Sequence, residues 1–462
     1  MVTKRPHEMR DPIHGFIKIS KRERDLIDTK VFQRLRRIRQ LAMTSLVYPG
    51  AVHTRFDHSV GVMHVAGRIC TKLQELNSAK ICSEDVDRVR FAALLHDVGH
   101  GPFSHVSEHL LKKYAPADAD TGQVLEKIHE KITVDIIQTD PKISEILDRD
   151  LDFVVEIIEG SKNIRDWHRD IVSSELDADK MDYLLRDSYF AGVKYGEYDL
   201  EKLIESCRIA DRRETPLAIS SKGIYALEQL LLARYHMTQQ VYWHRVSLIS
   251  NEMIVRGITL AIDGRNAKMG KLYKYPKKNK RASDEDHEKK KKDFVQNYLN
   301  YHDEKVIDLL RNCKQEKARE IFNQLYNREL YKMIAEIRFK DERDEMVRTG
   351  LRGMIADPAR KRQCEESIAA HIGVDPDYVI VNKPPIRNLN YVSQTETPNL
   401  EAIMVFDEKQ DLLMSLPAYA GELFFVRHSA DTSALETIQV YAPYKNDSEK
   451  EKSEIQNILR SS

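Results

Sequence analysis

At 462 residues, 41% apolar and 32% charged, the chain has the composition of a globular protein with a large core or attached lobes, and not of a disordered or fibrous one. Lys plus Arg and Asp plus Glu both number 73, so the formal net charge is zero and bulk charge demands no nucleic-acid partner. The polar start MVTKRPHEMRDPIHG is no signal peptide, no apolar run approaches the ~18 residues of a membrane span, and the 5 cysteines lack a CxxC pair. These features predict reduced thiols, a cytoplasmic setting and no membrane partner.

In chain order, DPIHGFIKIS predicts a short strand. Helical periodicity then dominates from Thr29 to Val255. VFQRLRRIRQLAM places Val31, Leu35, Ile38 and Leu41 on one stripe, with Asp28-Thr29 as the N-cap. VDRVRFAALLHDV, ITVDIIQT, ISEILDRDLDFVVEIIEG and GIYALEQLLLARYHM follow the same period. Residues 264–293 are rich in Lys and Arg and poor in apolar groups, which predicts a basic, mobile, solvated insertion. Helical patterning returns over 294–374, including AREIFNQLYNRELYKMIAEI. From 375 onward YVIVNKPP, EAIMVFD, ELFFVRH and ETIQVYAP read as short strands. The expected organisation is a helical core over 1–263, the insertion, a helical extension and a small α+β lobe over 375–462.

The chemistry concentrates in FAALLHDVGHGPFSH, where an apolar helix ends in His96-Asp97 and Gly99, Gly101 and Pro102 stop it. Alone, a His-Asp pair at a helix end is more often a hydrogen-bonding arrangement than a metal site. Upstream, HTRFDHSVGVMHVAG opens a helix with Arg55 and His58; downstream, SSELDADKMDYLLRD sets Asp179 four residues before Tyr183. Two imidazoles and two carboxylates, His58, His96, Asp97 and Asp179, suit one divalent cation with open positions for water. Asp182 and Arg186, at i,i+4, read as a structural salt bridge. His14, His53, His64, His109, His236 and His244 read as structural or surface residues. No GxxxxGK[ST] is present to cradle phosphate.

The ordered series DPIHGFI, IDTKVFQRLRRIRQL, RFDHS, LLHDVGHGPFSH, DADKMDYLLRD, YFAGVKYGEYDL and ETIQVYAP resembles the HD-domain phosphohydrolase superfamily, and within it the deoxynucleoside triphosphate triphosphohydrolases. The resemblance implies a mainly α fold, an HD-domain helical core with a small α+β C-terminal lobe. It implies hydrolysis of a dNTP to deoxynucleoside and inorganic triphosphate, with one divalent metal at the quartet (Mn, Fe, Mg, Zn, Ni or Co undistinguished) and a second Mg arriving with the nucleotide. Arg55, His100, His105 and His129 would face the scissile phosphate, His129 as proton donor with Glu130 beside it. Lys180, Tyr183 and Arg234 would hold the polyphosphate. Asp187 and Tyr242 would fit the sugar, and Gln40 and Leu41 would line its 3′-OH and 2′ edge, where a tight contact rejects ribose.

Members of the family also assemble, which implies a homo-oligomer, a tetramer first, activated by GTP, dGTP or dNTP between subunits. Asp28, Gln33 and Arg36 match positions that read guanine; Lys202, Lys222 and Arg245 match basic positions near activator phosphates. Trp243, after Tyr242, departs from the family pattern near the base. As DPIHG begins so early, no SAM domain is expected before it. Two other readings remain: an HD phosphohydrolase acting on another nucleotide or on single-stranded nucleic acid, and a nucleotide-sensing or nucleic-acid-binding protein with a non-catalytic HD site. Inorganic triphosphate as product selects the first reading over both.

Overall fold

Asp11 starts the chain's first turn by accepting the amides of Ile13 and His14 at 2.8 and 2.9 Å, and Gly15, at φ 72°, closes it. The predicted strand is therefore an antiparallel hairpin, β1 His7–Asp11 and β2 Gly15–Ile19. The computed structural model describes residues 7–76, 81–114, 128–160, 166–209, 217–276, 284–384, 403–420, 423, 436–444 and 448–462.

Helices follow: α1 Lys21–Ile27, α2 Lys30–Arg34, α3 Arg55–Leu76, α4 Ser83–Leu95, α5 His105–Tyr114, α6 Ile128–Thr139, α7 Pro141–Leu147, α8 Leu151–Glu159, α9 Asp166–Val172, α10 Ala178–Ala191 and α11 Leu200–Glu205. Then come β3 Cys207–Ile209, β4 Leu217–Ser220, α12 Ile224–Met237, α13 Arg245–Asp263, α14 Ala267–Tyr273, α15 Asp284–Tyr298, α16 Asp303–Arg311 and α17 Glu316–Tyr326. The chain continues through β5 Lys332–Arg338, α18 Glu345–Ala356, α19 Pro358–Ile372, β6 Ile380–Asn382, β7 Met404–Asp407, β8 Leu412–Ser415, β9 Thr437–Ala442 and a final helix Glu449–Ser461. The fold is mainly α with small sheets. Among the described residues no helix is long and apolar enough to cross a membrane.

Two compact units emerge, and they are not contiguous in sequence. The first holds Met1–Met237, Ile262–Leu309 and Asn399–Leu423; the second holds Thr238–Ala261, Leu310–Pro398 and Phe424–Ser462. In the first, α4 is buried on several faces by Val89, Phe91, Ala92, Leu94 and Leu95, and it packs against α3 and α8. α3 also packs against α10. A sheet in the order β3-β4-β7-β8, with β4 and β7 parallel, completes this unit. In the second unit, β9 lies between β5 and β6, antiparallel to both. Its core joins Ile337, Val381, Ile438 and Val440 of the sheet to Leu351, Met354, Ile368, Ile455 and Leu459 of the helices.

Several sequence expectations need correction. The single helix over 31–43 is only α2 followed by one 3₁₀ turn, Leu35–Arg37; Ile38 leaves the helix because its carbonyl accepts the Arg55 amide at 3.0 Å. In AREIFNQLYNRELYKMIAEI the helix ends at Tyr326, Arg328 takes φ 60°, and KMIAEI becomes β5. EAIMVFD contains β7, which joins the first unit's sheet and not a C-terminal lobe. The segment 264–293 is not simply solvated: α14 and α15 occupy much of it, and Met269, Leu272, Tyr273 and Tyr275 are buried. Residues 277–283 and most of ELFFVRH lie outside the described residues.

One close approach fixes α3 against α10. A Cβ on Gly61 would stand 1.9 Å from Asp182 Oδ1 and 2.4 Å from Arg186 Nη2. Both side chains are fully buried and paired, so neither can swing away without leaving a charge alone. Gly61→Ala should lower unfolding free energy by about 3 kcal/mol or more, measured by urea denaturation, because overpacking and a disturbed buried ion pair act together.

Candidate metal and catalytic site

Thr54 caps α3 through Asp57, whose Oδ2 accepts the Thr54 amide at 2.9 Å, so the helix begins with Arg55 and His58 one turn apart and both buried. α4 ends at His96, its C-cap, which brings Asp97 out of the helix beside it. Asp177 caps α10 by accepting the Lys180 amide at 2.7 Å, and the helix then directs Asp179, Asp182, Tyr183 and Arg186 from adjacent turns. Three separate segments thus meet.

His58 Nδ1 donates to Asp182 Oδ2 at 2.8 Å, which leaves Nε2 facing Asp179 Oδ1 at 2.9 Å and Asp97 Oδ2 at 3.8 Å. His96 Nδ1 donates to the Ala93 carbonyl at 2.7 Å, and its Nε2 lies 3.3 Å from Asp97 Oδ1 and 4.0 Å from Asp179 Oδ1. That Nε2 is buried without a hydrogen-bond partner. Ligand atoms of His58, His96 and Asp97 all lie within 4.8 Å of one another. An orphaned imidazole nitrogen among carboxylate oxygens is the donor set that an N/O-binding divalent cation satisfies, so the residues fit a metal.

Electrostatics agree with this fit. Burial opposes the charge on His58, but hydrogen bonds to Asp179 and Asp182 carry it up to about 10. A cation entering at Nε2 must expel that proton, so metal affinity rises with pH across the neutral range. Burial likewise opposes ionisation of Asp97, yet Arg55, followed by His96 and His100, holds its carboxyl well below the usual range. Arg55 Nη1 reaches Asp97 Oδ2 at 2.5 Å. His100 is pushed well below its ordinary value by burial and then by Arg55, which leaves it neutral.

The groups expected around a phosphate lie beside this cluster. The His100 and His129 rings stack at 4.4 Å, and His105, largely exposed, is 5.6 Å from His100. Glu130 follows His129 in the first turn of α6. Gly99 lets the loop touch α6: a Cβ there would stand 2.3 Å from the His129 carbonyl. Thr133 Oγ1 accepts the Gly99 amide and donates to the His96 carbonyl, both at 3.0 Å, tying the helix of His129 to the His-Asp pair.

Lys180 Nζ donates to the Ser174 carbonyl at 2.7 Å and to Asp177 at 2.8 Å; Arg234 pairs with Glu175 at 3.0 Å; Tyr183 lies 6.5 Å, ring to ring, from His58. Asp187 pairs with His53 Nε2 at 2.7 Å. Gln40 is buried, with its Oε1 unpartnered, and Leu41 is half-buried. Tyr242 closes a π turn, Thr238–Tyr242, in the second unit, where Arg245 opens α13. Among the regulatory candidates, Arg36 Nε donates to Gln33 Oε1 at 2.9 Å and covers the Phe56 ring, while Asp28 and Lys202 are exposed. Lys222 is engaged by Glu408.

Sequence reasoning missed three supports. Asp182 is not merely a salt-bridge residue: it accepts from His58 and from His14 Nε2 at 2.7 Å as well as from Arg186. His14, in DPIHG, therefore braces His58 through Asp182. Glu108 stands 3.1 Å from His129 Nδ1 and 3.7 Å from His105 Nδ1. Burial resists its ionisation, but the two histidines hold it below the ordinary carboxylate range. An acidic residue one turn after His105 was the available signal.

Comparison with known proteins defines the class. An HD domain matches residues 55–187, and an HD associated region matches 198–298 and 277–419. The chain belongs to the HD-domain phosphohydrolase superfamily. Its relatives include an uncharacterized protein, MJ1154, of Methanocaldococcus jannaschii, 37% identical over 56% of this chain and 50% of that one. The deoxynucleoside triphosphate triphosphohydrolase SAMHD1 homolog of Dictyostelium discoideum is 31% identical over 71% of this chain and 60% of its own length. SAMHD1 of Gallus gallus is 29% identical over 87% and 69%. A phosphohydrolase structure from Bacteroides thetaiotaomicron shares the fold, with a TM-score of 0.68 at 24% identity over 95% of this chain and 100% of that one. The chain spans about half the length of several of the curated relatives it matches.

Removing the support should loosen the metal before it unfolds the protein. His14→Ala, which acts on His58 only through Asp182, is expected to weaken Mn²⁺ affinity by less than the roughly 10–100-fold that loss of a direct outer partner of a ligand costs. Isothermal titration on the metal-free protein, with circular dichroism as a fold control, reads this directly.

Proposed function

We propose that the protein is a metal-dependent deoxynucleoside triphosphate triphosphohydrolase that releases a deoxynucleoside and inorganic triphosphate. The observation that carries the reading is a set of three buried polar atoms without partners at one site: His96 Nε2, Arg55 Nη2 and His100 Nδ1. Buried polar groups are normally satisfied, so an unpaired set of this kind marks where a metal and an anion bind. The names of the Dictyostelium and chicken relatives supply the substrate class.

His58, His96, Asp97 and Asp179 would hold one divalent cation, which when bound polarises phosphate and activates water. Arg55 and the neutral His100 donate to phosphate oxygens where negative charge grows. His129, steadied by Glu108, gives its proton to the departing 5′-oxygen, with His105 and Glu130 beside it. Lys180, Tyr183 and Arg234 take the β- and γ-phosphates. Asp187, Gln40 and Leu41 hold the deoxyribose, and a second Mg²⁺ travels with the triphosphate. The unpartnered Gln40 Oε1 suits the 3′-OH.

The reading predicts triphosphate and deoxynucleoside from single dNTPs or mixtures with Mn²⁺, analysed by ion-exchange chromatography. His129→Ala should keep the metal and lose roughly 10²–10⁴-fold in kcat, the usual worth of a general acid. Metal-loaded His129→Ala with normal turnover removes that assignment.

Regulation belongs to the same reading: a guanine nucleotide at Asp28, Gln33 and Arg36, its phosphates met by Lys202, Lys222 and Arg245, joins subunits into a tetramer in the cytoplasm. Linkage requires assembly and activator affinity to reinforce each other. Arg36→Ala should raise the GTP concentration needed for turnover and for a heavier sedimenting species, with metal content unchanged. A wild type that hydrolyses single dNTPs at full rate as a monomer contradicts the regulatory half alone.

A further inference from the structure

The loop after the His-Asp pair passes through two non-glycine residues in the left-handed region, Phe103 at φ 64° and Ser104 at φ 54°. Backbone of this kind persists only where its surroundings over-determine it. One carboxylate does much of that. Asp303, the first residue of α16 and 3% exposed, accepts the Phe103 amide on Oδ1 at 2.8 Å and the Arg39 amide on Oδ2 at 2.9 Å. It thereby joins two segments that are distant in sequence and meet at the site.

What those segments carry gives the clamp its meaning. Ser104 Oγ donates its single proton to the Arg39 carbonyl at 2.7 Å and accepts from Arg55 Nε at 2.7 Å. Arg55 is thus aimed by Ser104, and its other arm lies on Asp97. Gln40 follows Arg39, and its backbone amide donates to the carbonyl of His53, the partner of Asp187, at 3.1 Å. Asp303 touches backbone amides on both sides, and its contacts with the site run through them.

We propose that Asp303 is a positioning residue that sets Arg55 and Gln40 against the metal ligands by clamping the amides of Phe103 and Arg39. This rests on the reading of Arg55 and Gln40 as groups that face a nucleotide. Two bonds to two different oxygens are what a carboxylate supplies and a carboxamide does not, since Asn offers one acceptor oxygen and an NH₂. Asp303→Asn therefore unpairs one clamped amide while keeping the side chain's shape.

The test compares wild type, Asp303→Asn, Ser104→Ala and the double variant by Mn²⁺ content, amide hydrogen exchange at Arg39 and Phe103, and kcat and KM for dGTP with Mn²⁺. Full Mn²⁺ content, faster exchange at a clamped amide and a kcat lowered roughly 10²-fold, the scale of a 1 Å misplacement, are expected for Asp303→Asn. Ser104→Ala should also lose kcat, and the double variant should be no slower than the slower single one, because both act through Arg55. A metal-loaded Asp303→Asn with wild-type kcat, or losses that multiply, overturns the proposal. Should Asp303→Asn not fold, Ser104→Ala decides: wild-type kcat there overturns it equally. If the Mn²⁺-loaded wild type yields no product from dGTP, the functional reading falls, and exchange alone judges the clamp, with unchanged protection in Asp303→Asn counting against it.

Discussion

The structure turns on one buried carboxylate. Asp182 accepts from His14, His58 and twice from Arg186, all between 2.7 and 2.9 Å, and is fully buried. Burial opposes its charge, yet Arg186 and then the two histidines hold it well below the ordinary range. Arg186 is itself held by Asp11 at 2.8 Å. A fully buried ion cluster is stable only when complete; removing one charged partner leaves a bare charge and costs about 3–5 kcal/mol. The N-terminal hairpin, α3 and α10 must therefore dock together, and their docking fixes the tautomer of His58.

From that docking the candidate metal site follows. With Nδ1 committed to Asp182, His58 turns Nε2 toward Asp179 and Asp97, and α10 places Asp179 one turn earlier on the same side. The His-Asp pair joins from the end of α4, held by Thr133 from α6. His58, His96 and Asp97 are thus each braced by a neighbour outside the cluster: Asp182 behind His58, the Ala93 carbonyl behind His96, Arg55 behind Asp97. Preorganisation of this kind fixes geometry before substrate arrives.

The sequence made the helical core legible, together with the segments that bring His58, His96 and Asp97 into one cluster, because amphipathic periods, caps and the ordered motifs are local signals. What it hid was non-local. The helix expected through Ile38 stops because Arg55 and Asp303 claim the backbone of Ile38 and Arg39, and tertiary bonds outweigh helix propensity. KMIAEI reads equally as helix or strand until Thr437–Ala442 pairs with it. Met404–Asp407 looked like part of a C-terminal lobe, but its partner, β4, lies far earlier in the chain. Asp182 and Arg186 were visible as an i,i+4 pair; the third and fourth members, His14 and His58, were not, since no local spacing connects them.

In the proposed reaction water attacks the α-phosphorus and the 5′-oxygen leaves. Hydrolysis of dGTP with Mn²⁺ in ¹⁸O-enriched water, followed by mass spectrometry of both products, tests it most directly. One ¹⁸O atom in inorganic triphosphate and none in the 5′-hydroxyl of deoxyguanosine is the expected result. Label in monophosphate or pyrophosphate, or in the nucleoside hydroxyl, would contradict it.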